Sequence, residues 1–137
     1  MKNLIVFLLG LFSFMGLQAQ TITTFGTNAG TQGTHSSFFG YGAGQNNFDA
    51  GSYNSFLGYV AGRDNTTGVR NTFVGALSGL GNETGNYNTF VGMQTGYVIT
   101  SGSQNALLGY QSGFSLTEGD HNTYIGFQSG RANQVTL

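Results

Sequence analysis

Short apolar segments recur along the chain, each preceded by a polar residue and closed by a glycine. A looser copy begins at Ser36, and the clearest copies begin at Asn54, Asn71, Asn88, Asn105 and Asn122. The closing glycines lie at positions 40, 58, 75, 92, 109 and 126, so the step is 18 residues once and then 17 residues four times. A period this regular predicts a stack of equivalent turns.

Two further glycines recur at a fixed phase in each turn. One lies three residues before the polar starter (33, 51, 68, 85, 102, 119), and the other lies four residues after the closing glycine (44, 62, 79, 96, 113, 130). This spacing leaves no room for a helix, so we expect an all-β solenoid. Each turn should hold two extended segments, one at Thr-Phe-Val and one near Tyr-Gln-Ala. Strands ~4.8 Å apart would give a body about 30 Å long over six to seven turns.

Each apolar segment places two apolar residues side by side. The first positions form one column (Phe38, Phe56, Phe73, Phe90, Leu107, Tyr124), and the next positions form a second column (Phe39, Leu57, Val74, Val91, Leu108, Ile125). Neighbours in a strand point to opposite faces, so one column should fill the interior and the other should face out. An exposed apolar ladder favours packing of copies into a closed homo-oligomer. The alternative is a distorted strand that turns both columns inward.

The starter asparagines, hereafter the first asparagine column, are typical of a corner ladder. Asparagine tolerates left-handed backbone, and stacked asparagines can bond from turn to turn. A role in binding a ligand is the alternative interpretation of this column.

A mostly aromatic column follows the closing glycine. Its members are Tyr41, Tyr59, Met93, Tyr110 and Phe127, and Ala76 breaks the series. Exposed rings would suit sugars or a partner chain, whereas buried rings would be ordinary packing, which is the interpretation we favour.

The first residues have the layout of a secretory signal peptide. Lys2 precedes an apolar run from Leu4 to Met15, and small residues near Ala19 predict cleavage there. A transmembrane anchor is the alternative, although the run is short of the ~20 residues that a span needs. The predicted organisation is therefore a leader at 1–19, a degenerate N-terminal turn at 20–32, the six-turn repeat domain at 33–130, and an uncapped end at 131–137.

Composition excludes several function classes. Without the leader the chain holds three arginines and five acids, a net charge of 3 − 5 = −2, and charged residues are only 7% of the whole sequence. Weak, scattered charge argues against nucleic acid and against a basic membrane patch. Zero Cys and two His leave no zinc or iron–sulfur constellation.

No residue pattern predicts a catalytic, cofactor-binding or metal site. The one acid–histidine doublet, Asp120-His121, has no serine at a recognised spacing. His121 shares its phase with a variable position of the repeat, the loop column (His35, Tyr53, Arg70, Tyr87, Gln104, His121). We expect both histidines to be solvated loop residues, and we expect no enzyme activity and no cofactor.

The repeats resemble those of known surface proteins. The segments Asn71 to Gly79 and Asn88 to Gly96 are similar to the head repeats of trimeric autotransporter adhesins of the YadA type. Asn105 to Gly113 and Asn122 to Gly130 look closer to the Asn-Thr-Ala-Ile-Gly repeats of surface and phage-fibre proteins. The adhesin motif usually has one more residue between its asparagine and its glycine.

The resemblance implies a left-handed parallel β-roll whose three chains intertwine, acting as an adhesive or extending head. It implies a homotrimer on the surface of a Gram-negative cell, with an extracellular protein or glycan as partner and no membrane span in the mature chain. The competing hypothesis is a monomeric surface- or ice-binding solenoid. Its hydroxyl column would be Ser55, Thr72, Thr89 and Thr123, interrupted by Ala106.

Overall fold

The chain folds as a parallel β-solenoid, and the predicted all-β repeat architecture is confirmed. The computed structural model describes residues 23–31, 35–48 and 51–131, so the predicted leader and the end after residue 131 lie outside the described part. Its strands are β1 (Thr23–Phe25), β2 (Ser37–Phe39), β3 (Ser55–Leu57), β4 (Thr72–Val74), β5 (Thr89–Val91), β6 (Ala106–Leu108) and β7 (Thr123–Ile125). They form one sheet in chain order, and every neighbouring pair is parallel.

The register places equivalent residues of successive turns on top of one another. Phe56 pairs with Phe73, and Thr72 pairs with Thr89. The step is 14 residues from β1 to β2, 18 from β2 to β3, and 17 thereafter. A slip of one residue would turn every side chain to the opposite face, so a constant step keeps each column on its face.

Glycine closes each strand because two backbones meet closely there. Gly58 has φ +146°, and a Cβ atom built on it would meet the carbonyl oxygen of Gly75 in the next turn. Any larger residue would therefore push the two turns apart.

In each repeat, the segment after the closing glycine consists of tight β-turns. The predicted second extended segment is therefore wrong. The N–H of Ala61 donates to the carbonyl of Gly58 at 3.4 Å, and the N–H of Arg63 donates to that of Val60 at 3.3 Å. The third residues of these two overlapping turns, Val60 and Gly62, have φ +46° and +57°. This pattern is typical of type II turns, and positive φ at every second residue is incompatible with a strand.

The interior is filled by stacked rings. Phe38, Phe56, Phe73 and Phe90 are at most 1% exposed, and successive ring centroids lie 5.2, 4.8 and 4.8 Å apart. Leu107 continues the column and is equally buried. Burial of each large side chain stabilises the fold by about 1.5–3 kcal/mol.

Asparagines line the remaining interior and join the turns. In the first asparagine column, Nδ2 of Asn71 donates to the carbonyl of Gly85 at 2.7 Å, and its Oδ1 accepts the N–H of Asn88 at 2.9 Å. The predicted corner ladder is therefore confirmed. The residues of this column from Asn54 to Asn105 are at most 1% exposed.

A second asparagine column, which the sequence analysis did not identify, consists of Asn47, Asn65 and Asn82. Asn65 donates to Oδ1 of Asn47 and Asn82 donates to Oδ1 of Asn65, each at 2.7 Å. Buried Ile99 and Leu116 take the same phase in later turns. Within the described residues every buried side-chain polar atom has a hydrogen-bond partner, as a polar interior requires.

Candidate functional site

Of the two apolar columns, the second (Phe39, Leu57, Val74, Val91, Leu108, Ile125) faces away from the interior, and we name it the outer apolar column. Leu57 is 53% exposed, Leu108 47% and Ile125 68%, while the central residue of β3 to β6 is buried in each strand. The alternative in which both columns turn inward is therefore wrong. Phe25 of β1 pairs with Phe39 and extends this column by one turn.

The aromatic column is also exposed, so the favoured interpretation of buried packing is wrong for the single chain. Tyr59 is 57% exposed, Met93 46% and Phe127 73%. Some of its rings stack along the solenoid axis, because Tyr41 and Tyr59 have centroids 5.6 Å apart and Tyr110 and Phe127 5.4 Å apart. Stacked rings cover one another's faces, which leaves their edges toward solvent.

These two columns flank the same corner glycine, and we name them together the apolar face. Neither column contains a charged residue. A continuous apolar face without charge is a feature of surfaces that bind another molecule. The apolar face is therefore a candidate binding surface.

The hydroxyl column lies on the outward side of the same strands. Ser55 pairs in register with Thr72, which pairs with Thr89, and all three are exposed. Exposed Ala106 interrupts the column before Thr123. The hydroxyl groups therefore form a single row along the axis.

The two histidines of the loop column are exposed, as expected, and part of the column forms an ordered ladder. His35 stacks on Tyr53 with centroids 5.0 Å apart and planes 3° from parallel. The guanidinium carbon of Arg70 lies 5.2 Å from the centroid of Tyr53 and 5.4 Å from that of Tyr87. Nη1 of Arg70 also donates to the Tyr87 hydroxyl at 2.9 Å. We name these four residues the tyrosine–arginine stack.

Each residue of this stack has a positive φ, between +56° and +61°. The residues project from equivalent corners of successive turns, so different side chains meet at the same position of the repeat. In the sequence, this position of the repeat shows only a change of residue type among histidine, tyrosine and arginine. The side chains of these three residue types can nevertheless stack on one another.

The arginines outside the tyrosine–arginine stack have other partners. Arg63 forms a bidentate pair with Asp64, with Nε–Oδ1 and Nη2–Oδ2 distances of 2.8 Å, and this hydrogen bonding raises the pKa of Arg63 above its ordinary value. The guanidinium of Arg131 lies over the ring of Phe114, 5.8 Å from its centroid. Arg70 has no ion pair with any residue that the structure describes.

The acid–histidine doublet points to no catalytic arrangement. Oδ1 of Asp120 accepts the backbone N–H of Ser103 at 2.7 Å, and His121 is exposed. Over 23–31, 35–48 and 51–131, no group of three or more His, Asp or Glu residues could hold a metal ion. The same residues contain no helix of the length and apolar character needed to cross a bilayer.

Comparison with known proteins gives no match, whether with family models, with curated proteins or with solved structures. The resemblance to adhesin heads and fibre repeats therefore stays a prediction that rests on the motifs. What the chain does must be argued from its surfaces.

Proposed function

We propose that this chain is a structural or adhesive module of a cell surface or extracellular fibre, and that it assembles as a homotrimer through the apolar face. The observation that carries the proposal is the outward orientation of the outer apolar column, with Leu57, Leu108 and Ile125 about half exposed or more. The column runs about 30 Å along the solenoid. A monomer in water rarely exposes so long an apolar ladder.

A closed homo-oligomer suits this face because every turn presents it in the same direction. Copies that pack with parallel axes would bury the whole ladder at once, and cyclic symmetry closes the assembly without leaving an apolar face exposed. The charged residues lie in other columns, so packing along this face desolvates no charge.

Export of the chain through the predicted leader at 1–19 belongs to the same proposal. An extracellular location suits a fold that needs no reduced cysteine, since the chain contains none. The predicted partners, an extracellular protein or a glycan, would contact the columns that remain exposed in the trimer.

Light scattering tests the assembly on protein purified from cells that express the full-length chain. We expect a mass three times that of one chain for the wild type, and a monomer for the double variant Leu57→Glu/Leu108→Glu, because buried carboxylates at the interface are costly. The matched control is Thr84→Glu/Ser101→Glu. It adds the same charge at two exposed positions that are equivalent in the repeat to native Glu118. This control variant should remain trimeric.

A folded wild-type monomer at micromolar concentration would contradict the trimer. Equal dissociation of both double variants would contradict the assignment of the interface to the apolar face, because it would show a general effect of added charge.

A monomeric surface- or ice-binding solenoid is the second candidate, and the exposed, in-register hydroxyl column favours it. This column lies on the same side of the strands as the outer apolar column, so the two candidates compete for one face. Thermal hysteresis of a monomeric wild-type protein, lost in Thr72→Lys/Thr89→Lys, would support the second candidate. Its absence in the wild type would remove it.

A further inference from the structure

We propose that the tyrosine–arginine stack binds carboxylate groups of an acidic polysaccharide. The starting observation is Arg70, an exposed cation without an ion pair among the described residues. Two tyrosine rings nevertheless hold its guanidinium in place at 5.2 and 5.4 Å. A fixed, uncompensated guanidinium is suited to recognising a carboxylate through two parallel hydrogen bonds.

The stack lowers the entropic cost of binding. A free arginine side chain loses rotamer freedom when a ligand fixes it, whereas contacts with Tyr53 and Tyr87 already restrain Arg70. Its bond to the Tyr87 hydroxyl, at 2.9 Å, uses one donor and leaves other N–H groups for a ligand. Arg63 differs because its guanidinium is already committed to Asp64.

The neighbours of Arg70 favour a polysaccharide over an acidic peptide or a nucleic acid. Along the axis the ladder continues with Tyr53 and His35 on one side and with Tyr87 and Gln104 on the other. These side chains carry hydrogen-bonding groups, so they match sugar hydroxyls. An acidic peptide such as poly-L-glutamate presents carboxylates without hydroxyl groups beside them, whereas each sugar of an acidic polysaccharide presents both. A nucleic acid presents phosphates, and its binding depends on several cations.

The geometry of the rings also sets how a sugar would bind. His35 and Tyr53 are nearly parallel and 5.0 Å apart, so each covers a face of the other. Their edges carry the N–H and O–H groups and remain toward solvent. Contact is therefore through hydrogen bonds from ring edges, with the carboxylate on Arg70.

This inference rests on the proposed extracellular role, but it does not need the trimer. A trimer would carry three equivalent stacks, and a polymer that reached more than one of them would bind with a higher apparent affinity. Light scattering reports the assembly and polymer binding reports the stack, so failure of one is distinguishable from failure of the other.

The test measures binding of purified full-chain protein to polygalacturonate, with dextran as a neutral polymer and poly-L-glutamate as an acidic peptide. We expect binding to polygalacturonate that weakens as salt is raised, no binding to dextran, and clearly weaker binding to poly-L-glutamate. Arg70→Gln should reduce the affinity for polygalacturonate about tenfold or more. Arg70→Lys should also reduce it, because lysine lacks the planar fork.

Arg63→Gln is the matched control, since it removes the same charge from an arginine that is already paired, and it should change the affinity less than about twofold. Tyr87→Phe keeps the ring but removes the hydroxyl that positions Arg70, so it should give an intermediate loss even if Arg70→Gln disturbs folding. Equal losses in Arg63→Gln and Arg70→Gln would overturn the proposal. Binding to poly-L-glutamate as tight as to polygalacturonate, or no binding to polygalacturonate at all, would also overturn it.

Discussion

Asn71 illustrates how a polar residue can occupy the interior of this solenoid. Its side chain donates to a carbonyl one turn away and accepts a backbone N–H of the next turn. The asparagine thus supplies the hydrogen bonds that the corner backbone would otherwise lack. Because the same bonds recur at Asn88 and Asn105, the column acts as a series of identical joints.

Replacing Asn71 with alanine should therefore be costly. The change leaves the N–H of Asn88 without its partner. The carbonyl of Gly85 loses one of its two donors and keeps Nδ2 of Asn82 at 3.2 Å. We expect a loss of about 1–3 kcal/mol in the free energy of unfolding. Thr72→Ala, one residue later and exposed, should change it by less than about 0.5 kcal/mol. Urea denaturation of both variants measures the difference, and a similar small loss in both would contradict the structural role of the asparagine column.

The loop column makes a second prediction at the residue scale, because its residues adopt positive φ without being glycine. Gln104 has φ +59°, a conformation that costs a residue with a Cβ atom roughly 1–2 kcal/mol. Gln104→Gly relieves this strain but adds the entropic cost of ordering a glycine on folding. The net effect should be a stabilisation of about 0.5–1 kcal/mol.

Ala106→Gly is the matched control for that substitution, since Ala106 is also exposed but lies in strand β6. There glycine relieves no strain and should destabilise the fold by about 0.5–1 kcal/mol. Thermal unfolding should thus shift in opposite directions for the two variants. A loss of stability in both would show that Gln104 is not strained.

At the scale of the element, each strand is only three residues long, so no strand is stable alone. Strands β2 to β6 derive their stability from the turns above and below, through the parallel ladder and through one buried side chain each. In β5 that side chain is Phe90, whose ring lies 4.8 Å from that of Phe73. The outward residues Thr89 and Val91 contribute little to the interior.

Phe90→Ala should destabilise the solenoid by about 3–5 kcal/mol, because it opens a cavity in the middle of the ring stack. Phe90→Leu should cost no more than about 2 kcal/mol, since the next turn already carries Leu107 at this position. Chemical denaturation followed by circular dichroism measures both variants. Equal losses would indicate that shape at this position matters more than volume.

The strands could be predicted from the sequence because their signal is periodic and local. Phe73, Val74 and Gly75 recur as a unit, and alternation along a strand separates the inward from the outward residue. The segment after each closing glycine could not be predicted, because Val60 and Gln94 give no sign of the positive φ that makes this segment a run of turns.

The candidate sites were less accessible to sequence reasoning. Strand geometry predicted that one of the two apolar columns faces out, and the structure confirmed it. Which of the two faces out came only from the structure. The tyrosine–arginine stack depends on contacts between unlike residues 17 or 18 positions apart, such as Tyr53 with Arg70. A search for repetition passes over such contacts. The second asparagine column was missed for a related reason, since its repetition ends where Ile99 replaces asparagine.

At the scale of the whole molecule, each turn contacts chiefly its two neighbours, so stability should be nearly additive in the number of turns. The constant 17-residue step from β3 onward means that one turn can replace another. The 18-residue step places one extra residue between Asn47 and Asn54, compared with the interval from Asn82 to Asn88.

Deletion of residues 76–92 tests this modularity. It removes one complete turn and joins Gly75 to Met93, which occupies the same phase as Ala76, so every column stays in register. We expect a folded protein with one strand fewer and a moderately lower melting temperature. Deletion of residues 76–91 keeps one extra residue at the tight glycine corner and should destabilise the fold far more. Similar melting temperatures for the two deletions would contradict a fixed register.

The hydrogen bonds between turns also have a mechanical consequence. Those of the sheet run along the solenoid axis, and those of the asparagine columns join the same layers. Tension along the axis is therefore shared by all the bonds of one layer at once, whereas a chain end pulled sideways breaks them in sequence. A filament made of such turns would resist stretching far better than peeling, and its tensile strength would not depend on its length.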